Sequence, residues 1–233
     1  MSDTTLNGQS SSQQSIWEGI IKKLSGELMY QLFEAWAWPL WWRNDGRVSG
    51  EIPEESFVMV ANHGSYLDWI ILEILFRRKF HRDLTFLAKK KVFTNPFFRL
   101  GAANRKIIIA ETPVTSAVLT RCVESLQRKD RGNPILCLFP EGTRIRTGQR
   151  HRVHNGAAWI SRTTGVPIVP TALCGFWEVW PPNRPVPTVR RMGMTIRFLA
   201  PMRAEQFETD KEFMDAAMNE VYMAVHRDSR RMK

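Results

Sequence analysis

Short, almost wholly apolar runs alternate along this chain with longer stretches of helical spacing, and that alternation limits the possible folds more than any other feature. SFVMVANH, LTFLA at 84–88, KIIIA at 106–110, PILCLF at 134–139, PIVPTALC at 167–174 and MTIRFL at 194–199 read as strands, the first ending at His63. SYLDWIILEILFRR, 114–129 and 155–164 read as helices. A last helix, Asp210 to Arg227, puts Phe213, Met214, Ala217, Met218, Val221 and Val225 on one core-facing side. The pattern predicts an α/β fold, with a mixed, largely parallel sheet flanked by helices. A chain of 233 residues suits one domain with a short appendage.

The appendage lies at the N-terminus. Residues 1–15 are polar, with neither the basic start nor the apolar centre of a secretory signal, and read as a disordered leader. Over 16–42, Trp17, Ile20, Ile21, Leu24, Leu28 and Leu32 recur at helical spacing before the run FEAWAWPLWW. Lys22 and Lys23 beside the stripe, with Trp36, Trp38, Trp41 and Trp42, fit an amphipathic segment lying in a membrane interface. A helix capping the core is the alternative. No run approaches the ~20 apolar residues that cross a bilayer, so membrane contact is expected to be peripheral.

The 33 Lys and Arg against 23 Asp and Glu leave a net charge of +10, which favours anionic partners: phosphates, acidic lipids or nucleic acid. Cys122, Cys137 and Cys174 are odd in number and form no CxxC pair. They read as buried free thiols in a reducing compartment rather than a disulfide framework.

Chemistry concentrates in two segments. In NHGSYLDW, His63 falls at a strand-to-helix junction and Asp68 in the first turns of the helix, so the two side chains reach one side. A free hydroxyl is a poor nucleophile at neutral pH. An imidazole, with a reference pKa near ~6.5, can take its proton, and a carboxylate on the other ring nitrogen fixes the tautomer. Ser65 reads as a helix N-cap, and without a GxSxG elbow it is not a covalent nucleophile. In PILCLFPEGTR, a buried strand runs into a turn carrying Glu141, Gly142, Thr143 and Arg144. Gly142 permits close backbone approach, and Arg144 has the fork that grips a phosphate. His151 and His154 lack a ligand-spaced partner set, so no metal is assigned.

NHGSYLDW and FPEGTR together resemble the glycerophospholipid acyltransferases, the family that includes 1-acylglycerol-3-phosphate acyltransferases. FLAKKKVFTNPFF and TGVPIVPTAL look like two further blocks of that family, and the four segments span residues 57–175. The resemblance implies that 43–233 is the catalytic domain, with His63 as general base and Asp68 as its orienting partner. It implies acceptor binding by Glu141, Gly142, Thr143 and Arg144, with Lys89 or Lys90 and Arg105 adding charge for the same phosphate. Val166 to Pro170 would line an acyl-donor channel. Arg99 stands where glycine is common, and His154 and Asn155 replace the usual lysines. Arg146, Arg150 and Arg152 could meet lipid head groups, coenzyme A phosphates or an acidic carrier protein, or stay solvated.

The expected activity is O-acyl transfer to the hydroxyl of a lysophospholipid, first 1-acylglycerol-3-phosphate. The thioester of coenzyme A or acyl carrier protein serves as co-substrate, without a further cofactor. Another lyso-lipid such as lyso-ornithine lipid is the alternative acceptor, and a non-catalytic basic membrane-binding protein the alternative class. The expected partners are a membrane surface on its cytoplasmic side, the acceptor lipid and the donor, with no nucleic acid.

Overall fold

The computed structural model describes residues 27, 28, 30–32, 34–94, 106–128, 132–146, 149–184, 186–188 and 193–231. The leader, the first part of the N-terminal segment (1–26), and Arg99 and Arg105 lie outside them.

The strands β1 (Arg47–Ser49), β2 (Phe57–Ala61), β3 (Leu84–Lys89), β4 (Lys106–Ala110), β5 (Ile135–Leu138), β6 (Ile168–Cys174) and β7 (Thr195–Phe198) form one sheet. Its order is β1-β7-β6-β2-β5-β3-β4, and only the β6–β7 pair is antiparallel. Helices are α1 (helical at every described position from 27 to 43), α2 (Leu67–Leu75), α3 (Ser116–Gln127), α4 (Gly156–Thr164), α5 (Phe176–Val179) and α6 (Asp210–Arg231). The fold is the mixed, largely parallel α/β sandwich that the alternating pattern predicts.

β2 shows why its run is apolar throughout. Phe57, Met59 and Ala61 point into a core shared with α1, α2 and α5, while Val58 and Val60 point into a second core shared with α3, α4 and α6. Successive side chains alternate faces, so a strand covered on both sides needs apolar residues at every position. Each fully buried Phe or Val contributes roughly 1.5–3 kcal/mol relative to exposure. The α6 stripe from Phe213 to Val225 is core, as its spacing suggests.

The structure departs from the sequence reading in three places. β1 lies in NDGRVSGEIP, a stretch rich in turn residues: its three residues carry no apolar pattern, and tertiary pairing with β7 makes them a strand. Gly46 sets its start, since a Cβ there would come within 2.0 Å of the Trp41 indole. The helix from Leu67 breaks after Leu75 into a π-helical turn, Phe76–Phe80, which His81 ends at φ 52°. α6 runs one turn beyond Arg227, its far end tied by Arg197 to Asp228 at 2.8 Å.

α1 has two apolar faces. Tyr30, Ala37 and Trp41 are buried in the core, and Arg77 lies 4.0 Å over the Tyr30 ring while Arg78 pairs with Glu34. On the opposite side Leu28, Leu32, Trp36 and Trp42 remain 57%, 54%, 39% and 63% exposed. The helix both caps the core and turns an apolar stripe to solvent. No helix among the described residues is long and apolar enough to cross a membrane.

Candidate active site

β2, β5 and β3 are neighbours and parallel, so their C-terminal ends open on one edge of the sheet. That edge is where open α/β sheets place their ligand sites. His63 follows β2, the FPEGTR turn follows β5, and Lys89 ends β3.

The β2 end is locked by side chains that imitate backbone. Asn62 Nδ2 donates to Leu173 O at 2.9 Å and its Oδ1 accepts from Leu173 N at 2.8 Å, continuing the β2–β6 ladder beyond the strand. His63 O accepts from Ile145 N at 2.8 Å, and His63 N donates to Glu141 Oε2 at 2.8 Å. The imidazole stacks on Phe139, with centroids 4.3 Å apart.

His63 Nδ1 lies 2.7 Å from Asp68 Oδ2, and that oxygen also accepts from Gly64 N at 2.7 Å and Ser65 N at 2.9 Å. An oxygen already accepting two backbone N–H groups acts as acceptor toward the ring, so the hydrogen sits on Nδ1. In the neutral ring the lone pair is then on Nε2, and the ring is 20% exposed beside a wholly buried Asp68. This is the arrangement of a general base with its tautomer fixed. Ser65 works inside the protein: its Oγ donates to Trp180 O at 2.7 Å and accepts from Leu67 N at 3.1 Å. The helix proper starts one residue after Tyr66, so Ser65 caps it from one position further out than an N-cap.

The β5 turn closes with Gly142 N donating to Phe139 O at 3.0 Å, and Gly142 adopts φ 63°, where a side chain is strained. A methyl group at Gly142 would sit 3.5 Å from Lys89 Nζ and 3.6 Å from Nε2 of His154, so both basic groups flank the turn. The Arg144 guanidinium lies 3.9 Å over the Tyr66 ring. Lys89 and Arg144 thus bring positive charge to the turn after β5, suited to an anionic ligand.

Glu141 borders the cavity at His63, with both of its oxygens engaged inside the protein. It is buried, with Oε2 on His63 N and Oε1 accepting from Tyr222 OH at 2.8 Å. Burial, opposed by these two hydrogen bonds, pushes its carboxyl up to about 7. Its bonds hold the histidine's backbone at the wall of that cavity. Lys90 departs from expectation: exposed, it pairs with Glu111 at 2.7 Å and leaves Lys89 as the lysine at the turn. Thr143 is exposed on the turn. Val166 to Pro170 lie at and before the start of β6, whereas Leu173, near its end, borders the cavity at His63. Arg146 borders that cavity too, and Arg150 bonds Asn219 Oδ1 at 2.7 Å.

Sequence reasoning missed Phe139, Leu173 and Tyr222. Phe139 belongs to the quoted FPEGTR, but nothing local signals stacking on a histidine. Tyr222 is hidden in an amphipathic helix that reads as core. Cys122, Cys137 and Cys174 are buried free thiols, as expected. Among the described residues no three His, Cys, Asp or Glu side chains gather as metal ligands.

Comparison with known proteins gives the family and the fold. The family model described as Acyltransferase matches residues 46–174, which include both motifs. A 1-acyl-sn-glycerol-3-phosphate acyltransferase from Cocos nucifera is 28% identical over 156 residues, 66% of this chain and 48% of that protein. One from Pseudomonas aeruginosa is 27% identical over 130 residues, 56% of this chain and 48% of that protein. The chain spans about half the length of these relatives. The crystal structure of the 1-acyl-sn-glycerophosphate acyltransferase PlsC from Thermotoga maritima shares the fold, with a TM-score of 0.65 over 94% of this chain and 88% of that one at 18% identity. With more than half of its length matched by the family model, the chain belongs to the Acyltransferase family.

Proposed function

We propose that the protein transfers a fatty acyl group from a thioester, on coenzyme A or acyl carrier protein, to the free hydroxyl of a lysophospholipid, with 1-acylglycerol-3-phosphate the preferred acceptor and phosphatidic acid the product. The observation that carries this reading is His63, its Nδ1 held 2.7 Å from Asp68, beside a turn flanked by Lys89 and Arg144. The names of the relatives supply the acceptor.

In this reading the acceptor phosphate lies against Lys89 and Arg144, which brings the hydroxyl to Nε2. His63 takes the hydroxyl proton as the oxygen attacks the thioester carbonyl. Asp68 stabilises the imidazolium. The tetrahedral intermediate collapses, the C–S bond breaks, and the imidazolium returns the proton to the departing thiolate.

The exposed stripe of Leu28, Leu32, Trp36 and Trp42 supports peripheral attachment, since acceptor and product stay in the bilayer while the donor arrives from water. Three reduced, buried thiols suit the cytoplasmic side. Purified protein should transfer labelled palmitate from palmitoyl-coenzyme A or the palmitoyl carrier protein to one member of a lyso-lipid panel that includes lyso-ornithine lipid. Equal turnover by wild type and His63→Ala would exclude the mechanism. Lipid binding without turnover on any acceptor would favour a non-catalytic membrane protein.

A further inference from the structure

The cavity at His63 is bordered on one side by α6, a helix that contributes nothing to either sequence motif. Tyr222 reaches from that helix to Glu141, its hydroxyl donating to Oε1 at 2.8 Å, while Oε2 accepts the His63 N–H at 2.8 Å. A carboxylate with one oxygen claimed by a phenol cannot rotate without losing that bond. We propose that Tyr222 is a positioning residue for acyl transfer: it aims Glu141 at the backbone of His63 and thereby holds the imidazole where its Nε2 meets the acceptor hydroxyl. The inference rests on His63 acting as the base.

The helix is built to hold Tyr222 still. Val221 and Val225 are buried beside it, and the Arg197–Asp228 pair fixes the helix further along. The phenol ring is half enclosed, with the Arg150 guanidinium 5.7 Å from its centre. Burial first, and then the charge of Glu141, keep the hydroxyl protonated well above the usual tyrosine range, so it is a permanent donor. Around Glu141 the other facing groups are Asp68 on α2, the His63 backbone after β2, and Lys89 and His154 about the adjoining Gly142.

Tyr222→Phe keeps the ring and removes the donor. Its kcat for the acceptor that wild type uses should fall about threefold to tenfold with KM unchanged. The acidic limb of its pH–rate profile should move upward, because the charged form of Glu141 has lost a hydrogen bond. The carboxyl carbon resonance of Glu141, identified by its loss in Glu141→Gln, should titrate at higher pH in Tyr222→Phe than in wild type, whether or not substrate is present. An unshifted carboxyl midpoint overturns the inference. So does a Tyr222→Phe enzyme with wild-type kcat and pH limb. Absence of transfer by wild type itself would instead remove the proposed function, and the positioning role with it.

Discussion

In the proposed reaction His63 is the base and Asp68 its orienting partner, and their neighbourhood sets how each variant should behave. Removing the imidazole in His63→Ala deletes the base and should lower kcat by about 10²–10⁴-fold in the palmitoyl transfer assay. Asp68→Asn should also unfold more easily, because two backbone N–H groups and the ring lose a charged acceptor, each such bond being worth roughly 1.5–3 kcal/mol. Glu141 predicts the opposite sign. Its carboxyl ordinarily titrates at 4.5 and in the fold at about 7. The stability it contributes is therefore fully present below 4.5 and lost as pH rises through about 7. Glu141→Gln should be more stable than wild type at pH 8, by on the order of 1–3 kcal/mol in urea unfolding, and not at pH 4, while turning over more slowly. The His63–Asp68 pair was legible in the sequence because six consecutive residues fix it. The role of Glu141 was not, because burial and a tyrosine 81 residues away decide what its oxygens meet.

Among the elements, α1 divides its work between two faces that separate by mutation. Trp41→Ala on the inner face opens a cavity in the core and should cost about 3–5 kcal/mol of stability. Replacing Leu28, Leu32 and Trp42 together by serine leaves the inner face intact; it should preserve the melting temperature and reduce co-sedimentation with vesicles several-fold. Vesicle binding that survives this triple change would assign the stripe to another partner. The stripe was readable as a run of apolar residues, but its division between core and solvent was not, since both faces carry tryptophan. β1 was unreadable for a different reason: it is a short edge strand whose identity depends on Met194 O accepting from Arg47 N, not on its own side chains.

At the scale of the molecule, alternating strands and helices predict the architecture, because a buried parallel sheet leaves a run of apolar residues wherever it passes through the centre. Strand order is absent from such a pattern, and the order decides that β2, β5 and β3 end side by side. The net charge of +10 adds a long-range attraction to acidic bilayers, so association with vesicles rich in anionic lipid should weaken steadily as salt is raised through 0.1–0.5 M. Binding indifferent to salt would mean that the apolar stripe acts alone.

The pair assigned to proton transfer in the proposed function sits on one contiguous hexapeptide after β2, whereas Lys89 and Arg144, assigned there to the acceptor, come from the ends of β3 and β5. Exchanging the Lys89 and Arg144 side chains should therefore alter which alcohol the proposed reaction accepts, whereas Phe139, Glu141 and Ile145 of the same β5 turn hold His63 and leave little room for exchange.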